Sequence, residues 1–91
     1  MQIIKSILLN IISDIKKEYE HANFCFPFFN SSHEAYCVIL EEVDEYWDEV
    51  KKNGSVERKY DELIQIAAMA IKAIVSMDIE NRKDIEDHKS D

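Results

Sequence analysis

Six acidic residues fall within nine positions, at Glu41, Glu42, Asp44, Glu45, Asp48 and Glu49. The apolar residues among them recur at three- and four-residue steps, which predicts a helix on which side chains three or four apart face each other. Glu41/Glu45, Asp44/Asp48, Glu45/Glu49, Glu41/Asp44, Glu42/Glu45 and Glu45/Asp48 are then like-charge neighbours, each costing about 0.2–0.5 kcal/mol. Asp48/Lys52 offers an opposite charge at the same spacing. Such a face is either bathed in water and salt or made to carry something cationic.

The elements that must position these acids are helices. One Gly and one Pro in 91 residues leave little turn chemistry for a sheet, so the chain is predicted to be all-α. At this length it forms one domain with a limited core, and burial against a second subunit is expected. The formal net charge of -8 argues against a nucleic-acid polymer as partner, because phosphate contacts need a basic face. An acidic chain can still take a phosphorylated small molecule if a divalent cation bridges the two. Cys25 and Cys37 show neither close pairing nor metal spacing. With no signal-peptide pattern, they read as two reduced thiols of a cytoplasmic protein.

From about Gln2 to His21, the residues Ile3, Ile4, Ile7, Leu8, Ile11, Ile12, Ile15 and Tyr19 draw one apolar stripe on a helix. Lys5, Ser6 and Asn10 interrupt its opening too soon for a membrane span. Residues 23–31 break the pattern, because Pro27 cannot donate to a helix and biases Phe26 away from helical dihedrals. The aromatic loop so formed could stack on a nucleobase. General burial favours the plainer reading, in which its rings plug the bundle end or a dimer contact. Ser31 followed by Glu34 makes a capping box, so a second helix is predicted to begin there and run to about Lys52. Its apolar residues Tyr36, Ile39, Leu40, Val43, Tyr46, Trp47 and Val50 span about 120° of arc. Glu41, Glu42, Glu45 and Glu49 cluster opposite, and should look outward unless a third helix or a second subunit covers them. His33, in the first turn, reads as a surface or loop-packing residue, since no second histidine stands at ligand spacing.

Asn53-Gly54-Ser55 is predicted to close the second helix, with Gly54 available for a left-handed cap, and Ser55 to cap the next. From about Val56 to Glu80 the residues are apolar nearly all round, as expected of a helix in the middle of an assembly. Arg58, Glu62, Gln65, Met69, Lys72 and Ser76 are the exceptions, and their spacing makes one stripe. Either this is a solvent-exposed edge, or it is a polar seam that needs counter-charges or a metal, with the acidic face of the second helix as its far wall. Residues 81–91 are charged and read as a frayed helix end or disordered tail, leaving 1–80 as the domain.

Glu41-Glu42-x-x-Glu45, followed after 16 residues by Glu62 on a helix rich in Leu, Ile and Ala, resembles the MazG-like branch of the all-α nucleoside triphosphate pyrophosphohydrolases. The stretch from His33-Glu34-Ala35 to Met69-Ala70 is similar to short MazG-like proteins of phage and mobile-element type. The family pattern has two adjacent glutamates, a third three positions on, then a glutamate and an aspartate three apart. Glu41, Glu42, Glu45 and Glu62 match it, while Gln65 stands where the aspartate is expected.

The resemblance implies a bundle of three main helices completed by dimerisation into a four-helix-type core, as a homodimer or a dimer of dimers. It implies hydrolysis of nucleoside triphosphates to monophosphate and pyrophosphate with Mg²⁺, or Mn²⁺, held by carboxylates. Glu42, Glu45 and Glu62 are then the metal ligands, with Gln65 at the weakened fourth position. Glu41 is a further ligand or the group that activates water. Lys51, Arg58, Lys59 and Lys72 are candidate phosphate contacts, and spacing does not choose among them. The alternative is a non-catalytic helical dimer that binds a protein partner or a nucleotide, with Gln65 as the mark of lost chemistry. A plain solvated acidic helix is the third reading.

Overall fold

Local chemistry sets the helix boundaries. The computed structural model describes residues 2–24 and 28–89, with side chains described as far as Arg82. Its helices are α1 (Gln2–Ala22), α2 (Ser32–Lys51) and α3 (Val56–Lys89), and there is no strand among the described residues. Ser31 is extended and caps α2 by accepting the Glu34 N–H at 3.1 Å. Glu34 answers one residue earlier than a standard capping box, accepting the Asn30 N–H at 3.3 Å. Ser55 caps α3 in the same way, accepting the Arg58 N–H at 3.2 Å.

The turn between α2 and α3 differs from expectation. Asn53, not Gly54, takes the left-handed conformation, with φ 55°, which a short polar side chain tolerates. A Cβ at Gly54 would meet the Glu49 carboxylate, whose side chain would have to turn aside, and would lie 3.3 Å from the Glu49 carbonyl oxygen. The Gly54 N–H donates to the Glu49 carbonyl at 2.8 Å, so the turn is strapped to the end of α2. A link of only residues 52–55 makes α2 and α3 antiparallel neighbours.

α3 is the central rod, and α1 and α2 each pack against it. The buried apolar residues are Phe29, Ala35, Ile64, Ala68 and Met69. Ile15, Tyr19 and Ala22 of α1, Val38 and Ile39 of α2, and Ala73 close around this core. Small residues at Ala35 and Ala68 let the helix backbones approach, at the cost of a thin apolar centre. Among the described residues no large side chain is fully buried. The apolar stripe of α1 packs only over its second half, and Ile3, Ile4, Ile7 and Leu8 stay exposed, Ile3 at 75%. Past Glu80, where composition predicts fraying, the backbone remains helical to Lys89, and the Arg82–Asp78 ion pair at 2.7 Å spans one turn of that stretch.

The orientation of α2 reverses the simplest expectation. Ala35, Val38, Ile39, Glu42, Tyr46 and Glu49 are its less exposed positions. They lie on one face at 100° per residue, and Ala35, Val38 and Ile39 close on the α3 core. The apolar residues Tyr36, Leu40, Val43, Trp47 and Val50 point outward, with Trp47 54% exposed. Helix phase explains the difference. The core is built on Ala35 and Ile39, and the residues in step with them along α2 are Glu42 and Glu49. Burying that stripe turns the larger apolar side chains, about 120° round the helix, away from α3.

Candidate metal centre

α2 and α3 bring three carboxylates to one place. Glu42, Glu45 and Glu62 each offer an oxygen, and these oxygens lie within 4.8 Å of one another. The first two are one turn apart on α2, while Glu62 reaches across from α3 because the two helices are antiparallel. One oxygen of Glu42 and one of Glu62 are sealed from solvent and have no hydrogen-bond donor. Sealed carboxylate oxygens without partners are costly. They stand where a cation would satisfy them.

Electrostatics carry the strain of this arrangement. Burial, followed by the charges of Glu45 and Glu62, pushes the Glu42 carboxyl up to about 7. Glu18, on α1, adds to the same rise. Burial and then Glu45 also push Glu62 upward, with Glu49 and Asp61 contributing. Like charges that cannot spread apart favour the protonated form, and an opposite charge between them reverses that preference. Hard oxygen ligands in a group of three suit Mg²⁺ or Mn²⁺, which complete their shell with water or phosphate oxygen. The donor set therefore fits such an ion.

The remaining expected site residues are placed differently. Glu41 is exposed and takes no part in the cluster, because one residue back from Glu42 is 100° round the helix. Gln65 is half-buried on α3, one turn on from Glu62. The four basic residues are not gathered together. Lys51 pairs with Asp48 at 3.4 Å and lies 5.8 Å from the Trp47 ring centroid. Arg58 reaches Glu49 at 4.0 Å. Lys59 is half-buried. Lys72 is 5% exposed, deep in the packed face of α3. The expected Asp48/Lys52 pair is replaced, as Lys52 turns to Glu49 at 3.3 Å.

Two acids emerge that spacing alone did not single out as site residues. Glu49 is buried at 9% exposure and flanks the cluster between Lys52 and Arg58. Its position seven residues after Glu42 is a legible signal, since both lie on one stripe of α2. Glu18 comes from α1 and is half-buried. The signal for it is its step of three from Ile15 and four from Ala22, both packed against the core.

Three phenylalanines of the 23–31 segment are described. Phe29 plugs the bundle, with its N–H donating to the Ser76 hydroxyl at 2.8 Å. Phe24 and Phe28 are exposed, and Cys25, Phe26 and Pro27 lie outside the described residues. His33 and Cys37 are exposed. No helix among the described residues is long and apolar enough to cross a membrane. Comparisons with protein-family models, with curated proteins and with solved structures give no match for this chain.

Proposed function

We propose that this chain is a metal-dependent nucleoside triphosphate pyrophosphohydrolase, and the observation that carries this reading is the meeting of Glu42, Glu45 and Glu62. Glu41-Glu42-x-x-Glu45 and Glu62 at MazG-like spacing support it from the sequence side. Glu42, Glu45 and Glu62 would hold Mg²⁺ or Mn²⁺, with the Gln65 amide oxygen as a neutral donor beside them. When bound, the ion supplies positive charge to the phosphate oxygens and makes water more acidic.

The chain's own groups do the rest. Glu42 is the proton acceptor for the attacking water. Attack at phosphorus breaks the anhydride between the first and second phosphates, so pyrophosphate leaves and the nucleoside monophosphate remains. Glu41, on the exposed side, is left out of this chemistry. Gln65 brings no charge, which lowers the attraction for a second cation.

The same reading includes a second copy of the chain. Tyr36, Leu40, Val43, Trp47 and Val50 on α2, and Leu63, Ala67, Ala70, Ile74 and Met77 on α3, repeat at alternating steps of four and three. All five on α2, and Leu63, Ile74 and Met77 on α3, are exposed. Such seams are the geometry of helices packing in a four-helix core.

The test is pyrophosphate release from a panel of deoxynucleoside triphosphates with Mg²⁺ and with Mn²⁺. Wild type should release pyrophosphate, Glu42→Gln should not, and Gln65→Asp should raise the rate and tighten the metal response. No release above the Glu42→Gln background at high protein concentration would sink the enzyme. It would leave the non-catalytic dimer as the better reading.

A further inference from the structure

The geometry points to Lys72 as a phosphate-binding group, a buried ammonium over the Phe29 ring whose counter-charge comes from a phosphate oxyanion. Lys72 is 5% exposed, the more deeply buried of the two charged residues in the buried class. Its Nζ lies 4.7 Å from the Phe29 ring centroid. It makes no ion pair and no side-chain hydrogen bond among the described residues. Its neighbours one turn away on α3 are Ala68, Met69, Val75 and Ser76, none of them charged. A lysine withdrawn from water calls for an anion, and an aromatic face meets that need only in part.

The ammonium keeps a narrow contact with solvent. The sealed polar side-chain atoms without partners belong to Asn23, Glu42, Glu49 and Glu62, and Lys72 Nζ is not one of them. The surrounding framework is fixed. Phe29 is itself buried, its N–H donates to the Ser76 hydroxyl at 2.8 Å, and that hydroxyl donates to the Lys72 carbonyl at 2.7 Å. Ring, hydroxyl and lysine backbone thus form one unit that holds the ammonium in place before any ligand arrives.

Lys72 also differs from Lys51 and Arg58. Lys51 and Arg58 already face Asp48 and Glu49, so an added anion would compete with those carboxylates. Lys72 faces no such competitor among the described residues. It lies on the stripe of α3 that carries Glu62 and Gln65, two turns or about 10.5 Å along the axis from Gln65. This inference goes beyond the proposed hydrolysis, because anion binding at Lys72 requires neither a metal nor turnover.

The experiment uses inorganic pyrophosphate and inorganic phosphate as probes, on the full chain in EDTA at constant ionic strength. Thermal unfolding and titration calorimetry are followed for wild type, Lys72→Met, Lys72→Arg and Lys59→Met. Pyrophosphate should raise the Tm of wild type and Lys59→Met, with the response at least tenfold weaker in Lys72→Met and kept in Lys72→Arg. Backbone amide shifts of Phe29 and Ser76 in wild type give a second readout that does not depend on any variant folding. Equal pyrophosphate affinity in Lys72→Met, or no shift at Phe29 and Ser76 in wild type, overturns the assignment. Competition between pyrophosphate and a nucleoside triphosphate identifies the anion as the substrate's own phosphate chain, and lack of it identifies a free phosphate. Failure of hydrolysis leaves these results untouched, so the two readings fall separately.

Discussion

At the scale of single residues, Glu42 concentrates the tension in this molecule. Its carboxyl stands at about 7 against an ordinary 4.5, raised by burial and by Glu45 and Glu62. The folded chain therefore holds this proton more tightly than the unfolded one. That contribution to stability is complete below the ordinary value and is lost as pH rises through about 7. The metal-free protein should show a Tm that falls from about pH 5 to about pH 8. Glu42→Gln keeps a neutral group in place and should flatten this fall. It should not remove it, because Glu62 is raised in the same sense. Mg²⁺ or Mn²⁺ should restore the Tm of wild type at about pH 8 and do much less for Glu42→Gln, since a ligand that binds only the folded state stabilises it. Differential scanning across pH checks both parts, and a wild-type Tm that rises with pH in the absence of metal contradicts the arrangement.

At the scale of elements, the molecule depends on how α3 is fastened to what precedes it. The Phe29 N–H donates to Ser76 across 47 positions of sequence at 2.8 Å, and Phe29 fills the core beside Ala68 and Met69. Ser76→Ala leaves that N–H without its partner, a loss of about 1–3 kcal/mol for a buried donor. For a domain of this size the Tm should drop by roughly 5–15 °C, while Ser32→Ala, on the exposed first turn of α2, should change little. The helices and their caps were legible because Ser31 and Ser55 act through neighbours three residues away. The face on which α2 packs was not. Tyr36, Leu40, Val43 and Trp47 look like a core stripe when α2 is considered alone, and only the small residues Ala35 and Ala68 decide that α3 meets the other side. The same limit governs the site. Glu42, Glu45 and Glu62 followed from spacing and resemblance, whereas Glu18 depends on how α1 crosses α3, which one helix's periodicity does not encode. Asn53 rather than Gly54 takes the left-handed turn, and the Gly54 N–H is held by the Glu49 carbonyl.

At the scale of the whole molecule, one copy leaves much of its apolar surface uncovered. The radius of gyration is 16.2 Å, against about 12 Å for a compact chain of this length. The extents of 56 × 32 × 22 Å follow from α3, whose 34 residues span about 51 Å. On α2 the outward stripe lies about 120° round the helix from the face that packs on α3, and on α3 Leu63, Ile74 and Met77 are exposed. The two stripes meet at one end of the hairpin. Tyr36 and Met77, the ends of the two stripes, already border one apolar cavity of about 280 Å³. A second copy laid on this side by a two-fold axis would meet the same stripes and bury Trp47 and Ile74 near the centre. Trp47→Glu or Ile74→Glu would place a charge there, and the dissociation constant should rise at least a hundredfold, about 2.8 kcal/mol. Sedimentation of wild type at micromolar concentration should give a dimer, and both variants should give monomers with unchanged helicity. A monomeric wild type, or variants that remain dimeric, would remove the outward face of α2 and α3 from the interface and leave the exposed Ile3, Ile4, Ile7 and Leu8 of α1 as the apolar surface to test next.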